Sequence, residues 1–372
     1  AIDYFTMRSE KYEVISELVQ SKRTFVLTGY ILAKKADALK AELEKRFDLA
    51  VELADCDPAV DPPIMLQNNP FSAPVEGVLE SFGLPGRGEV DPCTVMSVFY
   101  YVLFGLMLSD AAYGLLMVIG CGFALLKFKN MESGMRKTLQ MFFYCGISTT
   151  FWGFMFGSFF GDLVGVVATT FFGRPDIALG PIWFEPVKEP MRMLVFSMLM
   201  GIIHLFAGLA MKAYQYAKQK AWLDILYDVG FWYMLLAGLV VFALSNQMFV
   251  GILQLSFILP VLAGTIGIAV AGIGAVGILL TAGRESRSPF KRLLKGAYGL
   301  YGVTGYLSDI LSYSRLLALG LATGVIATVV NSMGSMLGGG IVGAIVFILV
   351  FFVGHTLNLA INLLGAYVHT NR

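Results

Sequence analysis

From residue 95 onward the chain is a succession of seven apolar bands, 95–126, 138–167, 191–214, 225–245, 252–282, 305–337 and 341–372, separated by polar connections. Each exceeds the roughly 20 residues that an α-helix needs to cross a hydrocarbon core. The residues before them follow other periods. Residues 1–20 alternate in charge with a helical repeat, 24–32 read as a strand, 35–47 as a helix and 48–55 as a second strand. Seven prolines between Asp57 and Pro92 leave little room for regular structure. The predicted organisation is a helix plus a β-α-β unit over 1–56, a Pro-rich connector over 57–94 and a membrane domain over 95–372. The fold class is mainly α: a polytopic helical domain of about eight helices, the last two long and tilted, preceded by part of a small α+β domain.

The first band is the exception to one band, one crossing. It is interrupted by Ser109, Asp110 and Gly114, so it can fold as two short helices that enter and leave on the same side, with Asp110 as a structural acid shielded by protein. Loop charges support this. Lys127, Lys129, Arg136 and Lys137 mark the first loop, Lys212, Lys218 and Lys220 the third, and Arg284, Arg287, Lys291, Arg292 and Lys295 the fifth. The positive-inside rule puts these loops in the cytoplasm. A hairpin in the first band then places the mixed-charge N-terminal part in the cytoplasm too, with eight membrane helices in total.

Composition confirms the class. Hydrophobic residues make up 57% and charged residues 14% of 372 positions, which excludes an ordinary soluble globule. The four cysteines, Cys56, Cys93, Cys121 and Cys145, fall in no CxxC spacing, so neither a metal site nor a disulfide framework is indicated. No GxxxxGK[ST] occurs, and ATP chemistry is not expected in this chain. The pattern GIGAVG at 272–277 lies inside an apolar band with no preceding strand, and reads as close helix packing. The opening Ala1 and the stop at Arg372 inside an unfinished helix suggest a fragment or processed product.

Two stretches carry candidate chemistry. In GYLSDILSYSRLLALGLATG, Arg315 stands in a helix of Leu, Ala, Gly and Ser. Ser308, Ser312, Arg315, Leu319 and Ala322 share one stripe at helical spacing. An arginine near a bilayer centre costs about 2.5 to 3.5 kcal/mol on insertion scales, so it ordinarily marks an ion or substrate path. In FFVGHTLNLAINLLGAYVHTNR, the residues His355, Asn358, Asn362, His369 and Arg372 form a polar column on one helical face. One such residue is packing glue; five in a column favour a hydrated path. His204, between Gly201 and Gly208, reads as a structural hydrogen-bonding residue. From these residues alone, a secondary transporter using the buried Arg315 remains an alternative, although no second copy of SYSRLLALG signals an internal repeat.

LSDILSYSRLLALGLAT, followed by a terminal helix ending GAYVHTNR, resembles the a subunit, or subunit I, of V-type and A-type rotary ATPases. MSVFYYVLFGLMLSDAAYGLLM, FWGFMFGSFFGD, PPIMLQNNP and EVDP are similar to further stretches of that family. The resemblance implies a non-catalytic membrane stator subunit that forms two ion half-channels against a ring of c (proteolipid) subunits and couples H+ or Na+ movement to rotation. Arg315 matches the family's essential arginine and Arg372 its second. Ser308, Asp309, Ser312, His355, Asn358, Asn362 and His369 are then expected along the half-channels. Asp309 stands where eukaryotic members carry a His, and Asn362 where they carry a Glu. Peripheral-stalk (E/G-type) subunits, a central-stalk (d-type) subunit and membrane lipid are the implied partners, with no cofactor and no nucleic acid. A prokaryotic plasma membrane is the expected location.

Overall fold

The computed structural model describes residues 2–21, 24–57, 60, 62–177, 180–254, 257–284 and 288–371. They divide into two compact units, Ala1–Met65 with Pro85–Gly88, and Leu66–Leu84 with Glu89–Arg372. In the first, α1 (Ile2–Glu17) leads into β1 (Val19–Gln20) and β2 (Phe25–Val26), which pair antiparallel, and α2 (Ala33–Arg46) follows. The predicted helices are present, but the expected long strands are not: β2 is two residues long, and no strand is assigned to residues 48–57. Phe25, Val26 and Leu27 are exposed. A strand persists only where a neighbour takes up its backbone groups and one of its faces, and beyond the Val19↔Val26 and Gln20↔Phe25 pairs none is described.

The second unit opens inside the Pro-rich connector. Its proline spacing leaves room for a 3-10 turn at Ala73–Val75 and for α3 (Glu76–Phe82). Val75 is fully buried, and Glu76 accepts from Lys137 Nζ at 2.6 Å and from Asn68 Nδ2 at 2.9 Å. Next come α4 (Cys93–Leu108), α5 (Ala111–Lys127), α6 (Ser133–Phe156) and the short α7 (Leu163–Phe172). Along α6, Tyr101 of α4 lies by Tyr144 and Gly105 by Ser148, so α4 runs parallel to it. On α5 the order is reversed, with Ala111 at Gly153, Met117 at Gly146 and Gly122 at Phe143. The first band is therefore the expected hairpin, both arms packed on α6. A Cβ at Gly153 would strike the Ala111 backbone amide, so α6 approaches the tip only without a side chain there.

Asp110 caps α5 and closes the tip. Fully buried, it accepts from the Ala112, Tyr113, Phe160 and Gly161 amides and from Ser158 Oγ, at 2.6–3.2 Å. These five donors satisfy a carboxylate that burial alone would penalise heavily.

The remaining helices are α8 (Pro190–Lys218), α9 (Trp222–Ile225), which continues through a π-turn (Leu226–Gly230) into α10 (Phe231–Ser245), then α11 (Gln247–Ile252), α12 (Val261–Thr281), α13 (Pro289–Tyr301), α14 (Val303–Ser312), α15 (Ser314–Ser335) and α16 (Ile341–Thr370). GIGAVG lies within α12, where Gly274 meets the backbone of Phe231 and Leu235. Arg284, beyond α12, bridges Asp224 at 2.8 Å and Asp228 at 2.9 Å, and the Asp228 hydrogen bonds raise the guanidinium above its ordinary pKa.

Among the described residues five helices are long and apolar enough to cross a membrane: Pro190–Lys218, Trp222–Ser245, Val261–Thr281, Pro289–Ser335 and Ile341–Thr370. Beside them stand α6 and the two shorter apolar arms of the hairpin, Cys93–Leu108 and Ala111–Lys127. Pro289–Ser335 spans 47 residues, or about 70 Å at 1.5 Å per residue, more than twice the hydrocarbon thickness. This path is broken at Gly302 and Tyr313. The core sits where the hairpin meets α6, α15 and α16, around Phe104, Tyr113, Phe156 and Leu316.

Candidate functional site

Arg315 stands one residue past the break between α14 and α15. At that break the Leu316 amide bonds the Tyr313 carbonyl at 3.0 Å rather than the Ser312 carbonyl that a continuous helix would use. The Ser312 carbonyl instead accepts from Arg315 Nε at 2.8 Å, the Ser312 hydroxyl accepts from Nη2, and the His369 carbonyl lies 3.5 Å from Nη1. The half-buried guanidinium is thus aimed by backbone and hydroxyl oxygens, with no carboxylate paired to it among the described residues.

A cavity of about 280 Å³ lies against Arg315, walled by Leu103 and Met107 of α4, His204 and Leu205 of α8, Asp309, Tyr313 and Leu316, and His369 and Thr370 of α16. A second, of about 180 Å³, lies further along α15, between Ser109 at the hairpin tip, Ser158 and Asp162 after α6, Glu185 and Lys188 before α8, and Gly320, Gly324 and Thr328 of α15. Glu185 pairs with Lys188 at 2.7 Å and raises its ammonium above the usual lysine range. α15 gives Arg315 and Leu316 to the first cavity and its glycine face to the second, and Leu316, 1% exposed, also belongs to the core.

The polar column of α16 divides. His369 reaches the Arg315 cavity. His355, Asn358 and Asn362 are buried, line neither cavity and enter one hydrogen-bonded chain. Its direction follows from donors and acceptors. Asn331 faces the Phe160 carbonyl at 2.7 Å; a carbonyl only accepts, so Asn331 turns its amide nitrogen there and to Asp162 Oδ1 at 2.9 Å. Its oxygen is left for His355 Nε2 at 3.0 Å, which therefore carries the proton. In the neutral ring Nδ1 then accepts from the Tyr113 hydroxyl at 2.6 Å. Tyr113 in turn accepts from Asn358 Nδ2 at 2.9 Å, and Asn362 Nδ2 donates to Asn358. Every bond points the same way, from α16 to the Asp162 carboxylate on the wall of the second cavity.

Of the other expected residues, Ser308 and Asp309 are exposed, Asp309 on the Arg315 cavity and Ser308 on neither. Ser312 serves as a guanidinium acceptor, Asp110 holds the hairpin tip, and Arg372 lies outside the described residues. Spacing missed several participants. Asp162 and Glu185 sit in connections without periodicity, and Tyr113 and Asn331 are single polar residues in apolar bands. His204, read as structural, does bond Tyr313 at 2.5 Å, yet it also walls the Arg315 cavity.

Residues 6–174 match the model of the V-type ATPase 116 kDa subunit family. The chain is 31% identical to the A-type ATP synthase subunit I of Methanocaldococcus jannaschii, in an alignment covering all of this chain and 55% of that protein. The chain is similar to this family, and the alignment carries the similarity over its whole length. It is 27% identical to the A-type ATP synthase subunit I of Pyrococcus horikoshii, over 98% of this chain and 52% of the relative, and 24% identical to the V-type ATP synthase subunit I of Chlamydia trachomatis, over 96% and 60%. The chain spans about half the length of the curated relatives it matches. The family match covers the hairpin, α6 and α7; the alignments to these relatives extend over α15 and α16 as well. The protein is a mainly α, multi-pass membrane protein.

Proposed function

We propose that this chain is the membrane stator subunit of an A/V-type rotary ATPase, guiding H+ or Na+ through two half-channels that meet at a ring of proteolipid subunits. The observation that carries this reading is the position of Arg315: it borders one cavity, while the continuation of its own helix borders another. A carboxylate on a ring subunit can cross lipid only in its neutral, protonated or ion-bound form, because a bare charge there is prohibitive. Beside Arg315 the ionised form becomes favourable, its pKa falls and the ion is released. The guanidinium does not deprotonate, so it also blocks direct passage between the two cavities.

In this reading Asp309 and His369 serve the first half-channel, while Asp162 and Glu185 serve the second. The column His355, Asn358 and Asn362 forms the inner wall behind the second path. Moving one charge across 100 mV is worth about 2.3 kcal/mol, which the ring exchanges with torque. ATP chemistry belongs to other subunits, and the first compact unit is assigned to contacts with the peripheral stalk. The test is the reconstituted complex carrying Arg315→Ala, with ATP hydrolysis and ATP-driven ion uptake followed in media with and without sodium. Uptake should be lost while the complex stays assembled; undiminished uptake would remove the stator role. The wild-type ion dependence identifies the ion.

A further inference from the structure

The break between α14 and α15 lies directly before Arg315, and one side chain is fastened at it. Tyr313 is the joining residue. Its ring lies on α8 at Gly201, where an added Cβ would come within 2.7 Å of it, and its hydroxyl lies 2.5 Å from His204 Nδ1. The His204 ring is itself stacked on Phe99 of α4, with centroids 4.3 Å apart and planes 15° apart. Tyr313 is thereby tied to two helices outside its own. The tie coincides with the altered backbone pattern, in which the Tyr313 amide bonds the Ile310 carbonyl and the Leu316 amide bonds the Tyr313 carbonyl. That shift is what leaves the Ser312 carbonyl to Arg315 Nε.

We propose that Tyr313, held by His204, is a positioning residue for Arg315: by pinning the helix break to α8 it keeps the Ser312 carbonyl out of the helical ladder, where it aims the guanidinium. The proposal rests on the stator reading of Arg315. Without the tie, the last turn of α14 can close onto α15 as a continuous helix, the Ser312 carbonyl returns to the Leu316 amide, and the arginine loses its strongest geometric restraint. A side chain with several rotatable bonds then samples orientations away from the cavity. Ion binding and ATP hydrolysis need not change; what suffers is the fraction of carboxylates met by a correctly aimed guanidinium.

The experiment uses the assembled complex in proteoliposomes and measures ions moved per ATP hydrolysed. Tyr313→Phe keeps the ring on Gly201 and removes the hydroxyl, His204→Phe removes the partner, and His204→Gln retains a side chain able to hydrogen-bond the hydroxyl. Losing one buried hydrogen bond should lower the coupling ratio roughly fivefold to tenfold in Tyr313→Phe and His204→Phe, with assembly and hydrolysis retained, and His204→Gln should restore most of it. Wild-type coupling in Tyr313→Phe would overturn the positioning role, as would an equal loss in His204→Gln, which is the outcome of packing alone. Should His204→Phe fail to assemble, Tyr313→Phe decides. Arg315→Ala, run alongside, separates the two levels: if it too couples normally the stator reading fails, and if it alone is uncoupled only the positioning role fails.

Discussion

The Nε2 atom of His355 lies 3.0 Å from the Oδ1 atom of Asn331, and this contact, with the Phe160 carbonyl behind it, sets the protonation of a buried column. The contact places a proton on Nε2 of His355, and in a neutral ring the other nitrogen accepts from Tyr113. Four elements are joined by the chain: α5 through Tyr113, α15 through Asn331, α16 through His355 and Asn358, and the turn after α6 through Phe160 and Asp162.

Replacing Tyr113 by Phe removes the central link. It leaves the Asn358 amide and His355 Nδ1 without that partner in a buried site, where an unmade bond costs about 1 to 3 kcal/mol. This exceeds the roughly 0.6 kcal/mol average for one interhelical hydrogen bond in a membrane. Tyr113→Phe should therefore destabilise the detergent-solubilised protein by about 1 to 2 kcal/mol, more than an exchange at an exposed tyrosine such as Tyr298. Thermal unfolding of both variants checks this; equal midpoints would show that the Tyr113 hydroxyl contributes no net stability.

Asp110 is surrounded only by donors. An asparagine of the same shape would turn its own NH2 toward one set of them, so Asp110→Asn should be nearly as harmful as Asp110→Ala, each costing about 2 to 4 kcal/mol. The hairpin tip would open first, read as faster hydrogen exchange or proteolysis across residues 109–113 and 157–161. A stable, protected Asp110→Asn protein would show that the tip does not depend on two acceptor oxygens meeting these five donors.

The hairpin makes a topological claim. Glu80 in α3 and Lys129 after α5 are exposed on the side where α6 begins, and Asp176 is exposed beyond α7. In sealed vesicles, single cysteines at Glu80 and Lys129 should react with an impermeant maleimide from the same side, and a cysteine at Asp176 from the opposite one. Opposite labelling of Glu80 and Lys129 would require α4 and α5 to cross as one helix.

Arginine at 315 is held through Nε, Nη1 and Nη2 separately. A lysine offers one ammonium, which cannot reach the Ser312 carbonyl, the Ser312 hydroxyl and the His369 carbonyl together, and which loses its proton more readily in an apolar site. Arg315→Lys should accordingly lose ATP-driven ion uptake by tenfold or more, taken as about 1.4 kcal/mol or more of lost interaction. Uptake at the wild-type rate would show that charge alone suffices.

Much of this was legible in one dimension. Ser109 and Asp110 mark the hairpin because a polar break in a band of 32 apolar residues must fall where backbone groups find partners. Arg315 stands out because a guanidinium in an apolar helix needs a reason to be there. The strands of the first unit were over-read, since a β pattern in Phe25 and Val26 states a preference that only a neighbouring strand can satisfy.

The class of the protein, the hairpin, the long final helices and the arginine are all written in the order of the residues. These are local matters, because transfer of apolar side chains into lipid and hydrogen bonding within a helix are settled by residues a few positions apart. Tertiary structure alone decided which polar groups face space and which are saturated. His355 and His369 lie on the same helix in the same column, yet one is closed into a chain with Tyr113 and Asn331 while the other walls a cavity. Donor and acceptor balance at each residue of that column depends on side chains brought from as far as 245 positions away, and no periodicity along the chain encodes that distance.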